Sequence, residues 1–97
     1  MRKILAIATL LVSGSAFAGA CEDRADLARE VMASRQAGVP IADVIRLAKE
    51  SNAYTKATRD LILRAYEAPR YQTEEHQQRE ITEFENAAYV ACARKGA

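Results

Sequence analysis

Beyond residue 20, the apolar positions of this 97-residue chain recur at spacings of three and four, the period of a helix with one buried face. Ala25, Ala28 and Met32, flanked by Leu27 and Val31, form the first stripe. Asp23 and Asp26 stand in its expected first turn, where the helix dipole favours anions, and Gly38 and Pro40 mark its end. These signals predict a helix from Glu22 to Ala37. Pro40 suits the first position of a second helix, with Ile41, Val44, Ile45 and Ala48 as its stripe and Ser51-Asn52 as its close. A third carries Tyr54, Ala57, Leu61, Ile62, Ala65 and Tyr66 on one side and stops near Glu67, ahead of Pro69. Thr73 is the expected N-cap of a fourth, running from Glu74 to Arg94, with Glu74 and Glu75 in its first turn. Its buried face is Ile81, Phe84, Ala88 and Cys92, with Ala91 beside them. Strand signals are absent: there are no alternating Val, Ile or Thr runs and no Asn-Gly or Asp-Gly turns.

The expected fold is therefore all-α. Short connections force neighbouring helices to run roughly antiparallel, although the short second helix has the alternative of lying across the others. In an up-down-up-down arrangement the start of the first helix and the end of the fourth share one end. Cys21 and Cys92, the only two cysteines, occupy those positions. The expectation is a small bundle of about four antiparallel helices closed by a terminal disulfide, Cys21 to Cys92.

Residues before Cys21 read differently. Arg2 and Lys3 follow Met1, Ile4 to Val12 is an apolar run, and Ser13-Gly14-Ser15-Ala16-Phe17-Ala18 ends in the small-x-small pattern of a signal peptide. The reading is a signal peptide over 1–20, cut after Ala18 or Ala20, and a single helical domain over 21–97. Export places the thiols in an oxidising compartment, here the periplasm. Charged residues interrupt every later apolar segment, so the mature chain has no stretch approaching the roughly 20 residues of a membrane-spanning helix. Ala18-Gly19-Ala20-Cys21 is also a degraded lipidation box, which is the alternative fate of Cys21. Ala18 in place of the usual Leu, the polar spacer before it and the odd thiol that lipidation would leave at Cys92 weigh against it.

Charge removes some partners. The chain has 14 Lys+Arg and 13 Asp+Glu, and loss of Arg2 and Lys3 on cleavage leaves a formal net charge of −1. A near-neutral surface makes no electrostatic case for nucleic acid or for an anionic membrane face.

Catalytic constellations are also missing. His76 and Glu80 share a helix face at i,i+4, but two ligands make a poor metal site, and neither a Cys-x-x-Cys pair nor a second His completes one. No signature ties His76 to a nucleophile, and paired carboxylates need a sugar-holding cleft that four short helices seldom make. The expectation is no cofactor, no metal and no enzyme. Arg46–Glu50, Lys56–Asp60, Asp60–Arg64, Glu75–Arg79 and Arg79–Glu83, all at i,i+4, read as solvated faces. The Pro-braced turn from Tyr66 to Thr73 stands out, because it presents Arg70 and Tyr71, residue types that dominate binding hot spots. Tyr66, Arg70 and Tyr71 are the candidate partner-binding residues. The competing reading is that Tyr71 covers the bundle end while Arg70 satisfies carbonyls of the third helix.

Cys21, Arg35-Gln36-Ala37-Gly38-Val39-Pro40, Ala65-Tyr66-Glu67-Ala68-Pro69-Arg70-Tyr71, Phe84, Tyr89 and Cys92 together resemble a group of small exported proteins encoded by bacterial prophages and phages. The resemblance covers nearly the whole mature chain. It implies a periplasmic helical protein with a terminal disulfide and brings no catalytic residue. A more distant similarity, of size, class and compartment only, is to acid-stress chaperones of the periplasm.

Three functions follow as expectations. The first is a module that binds another envelope protein, as an inhibitor, an immunity factor or a phage-encoded modulator. The second is a chaperone that opens in acid, since protonating 13 carboxylates would make the chain strongly cationic. The third is an envelope component anchored by a lipid on Cys21. The sequence specifies neither the partner nor an oligomeric state.

Overall fold

Four helices follow one another: α1 (Ala16–Gln36), α2 (Ile41–Glu50), α3 (Lys56–Glu67) and α4 (Glu74–Gly96). The computed structural model describes residues 16–96, so the basic start and apolar run of the expected signal segment lie outside the described residues. Among the described residues there is no strand, and no helix is long and apolar enough to cross a membrane.

The first helix starts six residues earlier than its pattern predicts, at Ala16 rather than Glu22. Alanines precede Cys21 at 16, 18 and 20, and alanine is the strongest helix former, so the helix extends backward despite the cost of about 1 kcal/mol at Gly19. Its first turn consequently holds no acidic residue. A cut after Ala18 or Ala20 would return Glu22 and Asp23 to the helix start, where the dipole favours them. Neither cut touches the buried face, which runs from Cys21 through Ala25, Ala28, Val31 and Met32 to Gln36.

Two hydrogen bonds align α1 with α3. Arg24 Nη2 donates to the Ala57 carbonyl at 2.8 Å and Arg35 Nε to the Ala68 carbonyl at 3.0 Å, so the two helices run side by side in one direction. α4 runs the other way along α1, pinned by the Cys21–Cys92 disulfide at one end, with Cα atoms 5.5 Å apart. At the other end Gln36 meets Tyr71. The up-down-up-down order holds, but the packing is not square. α1 is the common partner of α2, α3 and α4, and α3 and α4 meet chiefly where Leu61 and Ala88 close over Ala28. The larger core joins Val31 and Met32 to Val44, Ile62, Ala65 and Ile81, with Leu27, Tyr54 and Phe84 packed around it. Burying a side chain such as Ile62 contributes about 1.5–3 kcal/mol.

Helix ends follow local chemistry. Both α1 and α2 close in Schellman turns with a left-handed residue just past the helix, Gly38 (φ 85°) and Asn52 (φ 56°). At α1 the Val39 N–H donates to Ser34 O and the Gly38 N–H to Arg35 O, each at 3.0 Å. At α2 the Ala53 and Asn52 N–H groups bond Ala48 O and Lys49 O at 2.8 and 3.1 Å. Pro40 is the N-cap of α2 rather than its first helical residue, because its ψ of 144° is extended while its carbonyl accepts from the Asp43 N–H at 3.0 Å. Thr55 caps α3 by accepting from the Thr58 N–H at 3.1 Å, which leaves Tyr54 before the helix rather than in it. Thr73 caps α4 as expected, its hydroxyl oxygen accepting from the His76 N–H at 3.2 Å.

Two expectations about surfaces change. Ala57 is exposed and Thr58 takes the interior position, because the stripe of α3 is centred on Thr58, Leu61, Ile62 and Ala65 and α4 does not close over Ala57. Of the five i,i+4 ion pairs, only Lys56–Asp60 closes, at 3.9 Å, among the described residues. Arg46 turns instead to Asp43 at 2.6 Å, one residue nearer, since exposed flexible chains follow the best local geometry.

Candidate functional site

Gln36 sits four residues after Met32 and so continues the apolar stripe of α1 with a polar side chain. It is 2 % exposed, and a buried amide must find partners for both its ends. The turn between α3 and α4 supplies them. The Gln36 side-chain Nε2 donates to the Pro69 carbonyl at 2.9 Å, and its Oε1 accepts from the Tyr71 N–H at 2.8 Å. The backbone carbonyl of the same residue accepts from Arg70 Nε at 2.8 Å. One residue of α1 thereby holds three successive residues of a turn more than 30 positions away.

Neighbouring groups complete this clasp. Tyr66 donates its hydroxyl to the Val39 carbonyl at 2.7 Å, and the Arg35 guanidinium lies 5.4 Å from the centre of its ring. Gln77 Nε2 donates to the Tyr71 carbonyl at 2.7 Å, tying the turn to the first turns of α4. The guanidinium of Arg70 lies against Gly38, where an added Cβ would come within 3.1 Å of Arg70 Cζ. Gly38 therefore answers two demands, a positive φ and a close approach.

All three predicted residues, Tyr66, Arg70 and Tyr71, fall in this clasp. Arg70 satisfies a carbonyl, but it belongs to the end of α1 and not to the third helix, because the turn leans across α1. Outward, the same turn keeps Pro69 and Arg70 exposed and Tyr71 half-buried, its ring 5.8 Å from that of His76. The hydroxyl of Tyr71 makes no hydrogen bond among the described residues. His76 is thus beside an aromatic ring, and among the described residues no three His, Cys, Asp or Glu side chains converge on one point. Reading the sequence as helices and turns did not single out Arg35, Gln36 or Gln77. The available signal was Gln36, a polar residue in a core register.

Burial pushes the Tyr66 phenol above the ordinary tyrosine range; Arg35 pulls it down and Asp43 pushes it up. The folded chain therefore holds this proton more tightly than the unfolded chain does. Stability is fully present below the ordinary tyrosine value of about 10 and falls as the pH rises through the folded value. A phenolate also cannot donate to Val39. Tyr66→Phe is expected to cost about 1 kcal/mol at neutral pH and to flatten the alkaline loss of stability, measured by urea denaturation across the alkaline range. An unchanged alkaline slope would assign that loss to other groups.

The architecture defines a class: a small helical bundle closed end to end by one disulfide, with a clasp at the opposite end. No protein family, characterised protein or solved structure matches the chain. The sulfur of Cys21 is engaged in the bridge, and the same sulfur cannot also carry a thioether-linked lipid.

Proposed function

We propose that this chain is an exported, periplasmic helical protein that acts by binding another envelope protein, in the manner of an inhibitor, an immunity factor or a phage-encoded modulator. The observation that carries this reading is the clasp. Gln36 fixes the turn at Pro69, Arg70 and Tyr71, and the turn still leaves Pro69 and Arg70 exposed and Tyr71 half-buried. A binding anchor held before contact loses less freedom on association, and each immobilised side chain otherwise costs about 0.5–1.5 kcal/mol. Arg and Tyr are the residue types that profit most from such a position. Export is supported by the basic, apolar and small-x-small order of the first 18 residues and by a disulfide, which oxidising compartments favour.

A photo-crosslinking amino acid placed at Tyr71 in cells that make and export the protein tests this directly. The expected result is one discrete adduct with an envelope protein from position 71 and none from exposed Thr82 on the outer face of α4. Identical products from both positions, or no adduct at 71, would reject the turn as the binding site.

A further inference from the structure

At the disulfide end, about 22 Å along α1 from Gln36 by helical rise, α3 and α4 part and leave an open groove of about 480 Å³. Its floor is Ala57, Leu61, Ala88 and Ala91, with Cys92 at one end. Three of the four floor residues are alanines, too small to fill the space between two helices that both lean on α1.

Four cations border the floor: Arg24 from α1, Lys56 and Arg64 from α3, and Lys95 from α4. Asp60 is the single acid among the described lining residues, and it lies 3.9 Å from Lys56. Arg24 is steered there by its bond to the Ala57 carbonyl, which positions the guanidinium without neutralising it. The N-terminus of α3 and the C-terminus of α4 both end beside the groove, and their dipoles oppose. Side-chain charge therefore sets the sign. A chain that is close to neutral as a whole gathers a net positive charge around an apolar floor.

We propose that this groove binds a small anionic amphiphile, with its apolar body on the alanine and leucine floor and a carboxylate or phosphate head group among the cations. The volume lies within the roughly 300–1,000 Å³ of small-molecule sites. Arg24 and Arg64 offer planar forks suited to either head group, and Lys56 and Lys95 add point charges. The site is separate from the Arg70–Tyr71 turn and stands or falls independently of it.

The test uses the full disulfide-bonded chain, labelled with nitrogen-15, titrated with dodecyl phosphate and with dodecanoate below their micelle concentrations. Dodecyltrimethylammonium and dodecyl maltoside carry the same tail without the negative charge. The expected result is saturable binding of at least one anion, with amide shifts at Ala57, Leu61, Ala88 and Ala91. Binding of the phosphate alone, the carboxylate alone or both tells which head group the cations accept. Arg64→Gln with Lys95→Gln is expected to weaken binding about tenfold or more, the scale of losing charge-assisted contacts. Ala91→Leu, at an exposed position, keeps every charge and fills the floor, and it is expected to abolish binding. Equal binding of the cationic or neutral surfactant, no saturable shift with either anion, or shifts induced only by an acidic helical peptide would each overturn the proposal.

Discussion

A Cys21→Ala/Cys92→Ala chain is expected to unfold about 4 kcal/mol more readily than the bridged protein, the chain-entropy value for a loop of this length. The two cysteines are 71 positions apart, so their bond constrains nearly all of the helical region. Their Cα separation of 5.5 Å is the ordinary one for a disulfide, so the helices need not shift to accommodate it. Alanine is the suitable replacement because Cys21 is buried on the α1 face, and serine would add an unpaired hydroxyl there. For a domain of this size each kcal/mol moves the melting temperature by about 4–8 °C, so the drop should be about 15–30 °C. Paired thermal and urea denaturation of the two proteins measures it. Equal midpoints would mean that helix packing alone holds the two ends together.

Gln36→Leu is the second large effect, expected to cost about 3 kcal/mol although leucine keeps nearly the same volume and raises hydrophobicity. The loss comes from two backbone groups stranded together, the Pro69 carbonyl and the Tyr71 N–H, each costing about 1–3 kcal/mol when left unpaired in a buried place. Partial exposure of the turn keeps the sum below the upper bound. Amide exchange at Tyr71 should accelerate more than exchange at Ile62 in the core, which separates loosening of the turn from global unfolding. A fully stable Gln36→Leu chain with a protected Tyr71 amide would remove the clasp as the device that fixes Arg70 and Tyr71, and with it the support for binding at that turn.

The helices and most of their ends were readable because the signals are local. Pro69 ends α3 at Glu67 and Thr73 starts α4 at Glu74, each as its neighbours in sequence dictate. Where the signals gave out, so did the reading. No capping residue stands immediately before Glu22 to halt α1, and the helix runs back to Ala16. The turn at Tyr66–Tyr71 was legible as a surface of suitable residue types, but not as a clasp, because its partners lie on another helix.

By itself, then, the sequence determined four amphipathic helices, most of their apolar faces and the placement of two cysteines at one end of an alternating bundle. Three- and four-residue spacing, helix caps and proline breaks act within a few positions and need no knowledge of the rest of the chain. Only the tertiary structure decided that α1 is the common partner, that Gln36 is the keystone of the far end, and that four cations from three helices surround one groove. Those outcomes depend on how each helix is rotated and how far it leans. The contacts that set this, such as Arg24 to Ala57, Arg35 to Ala68 and Gln36 to Tyr71, join residues 33 to 35 positions apart.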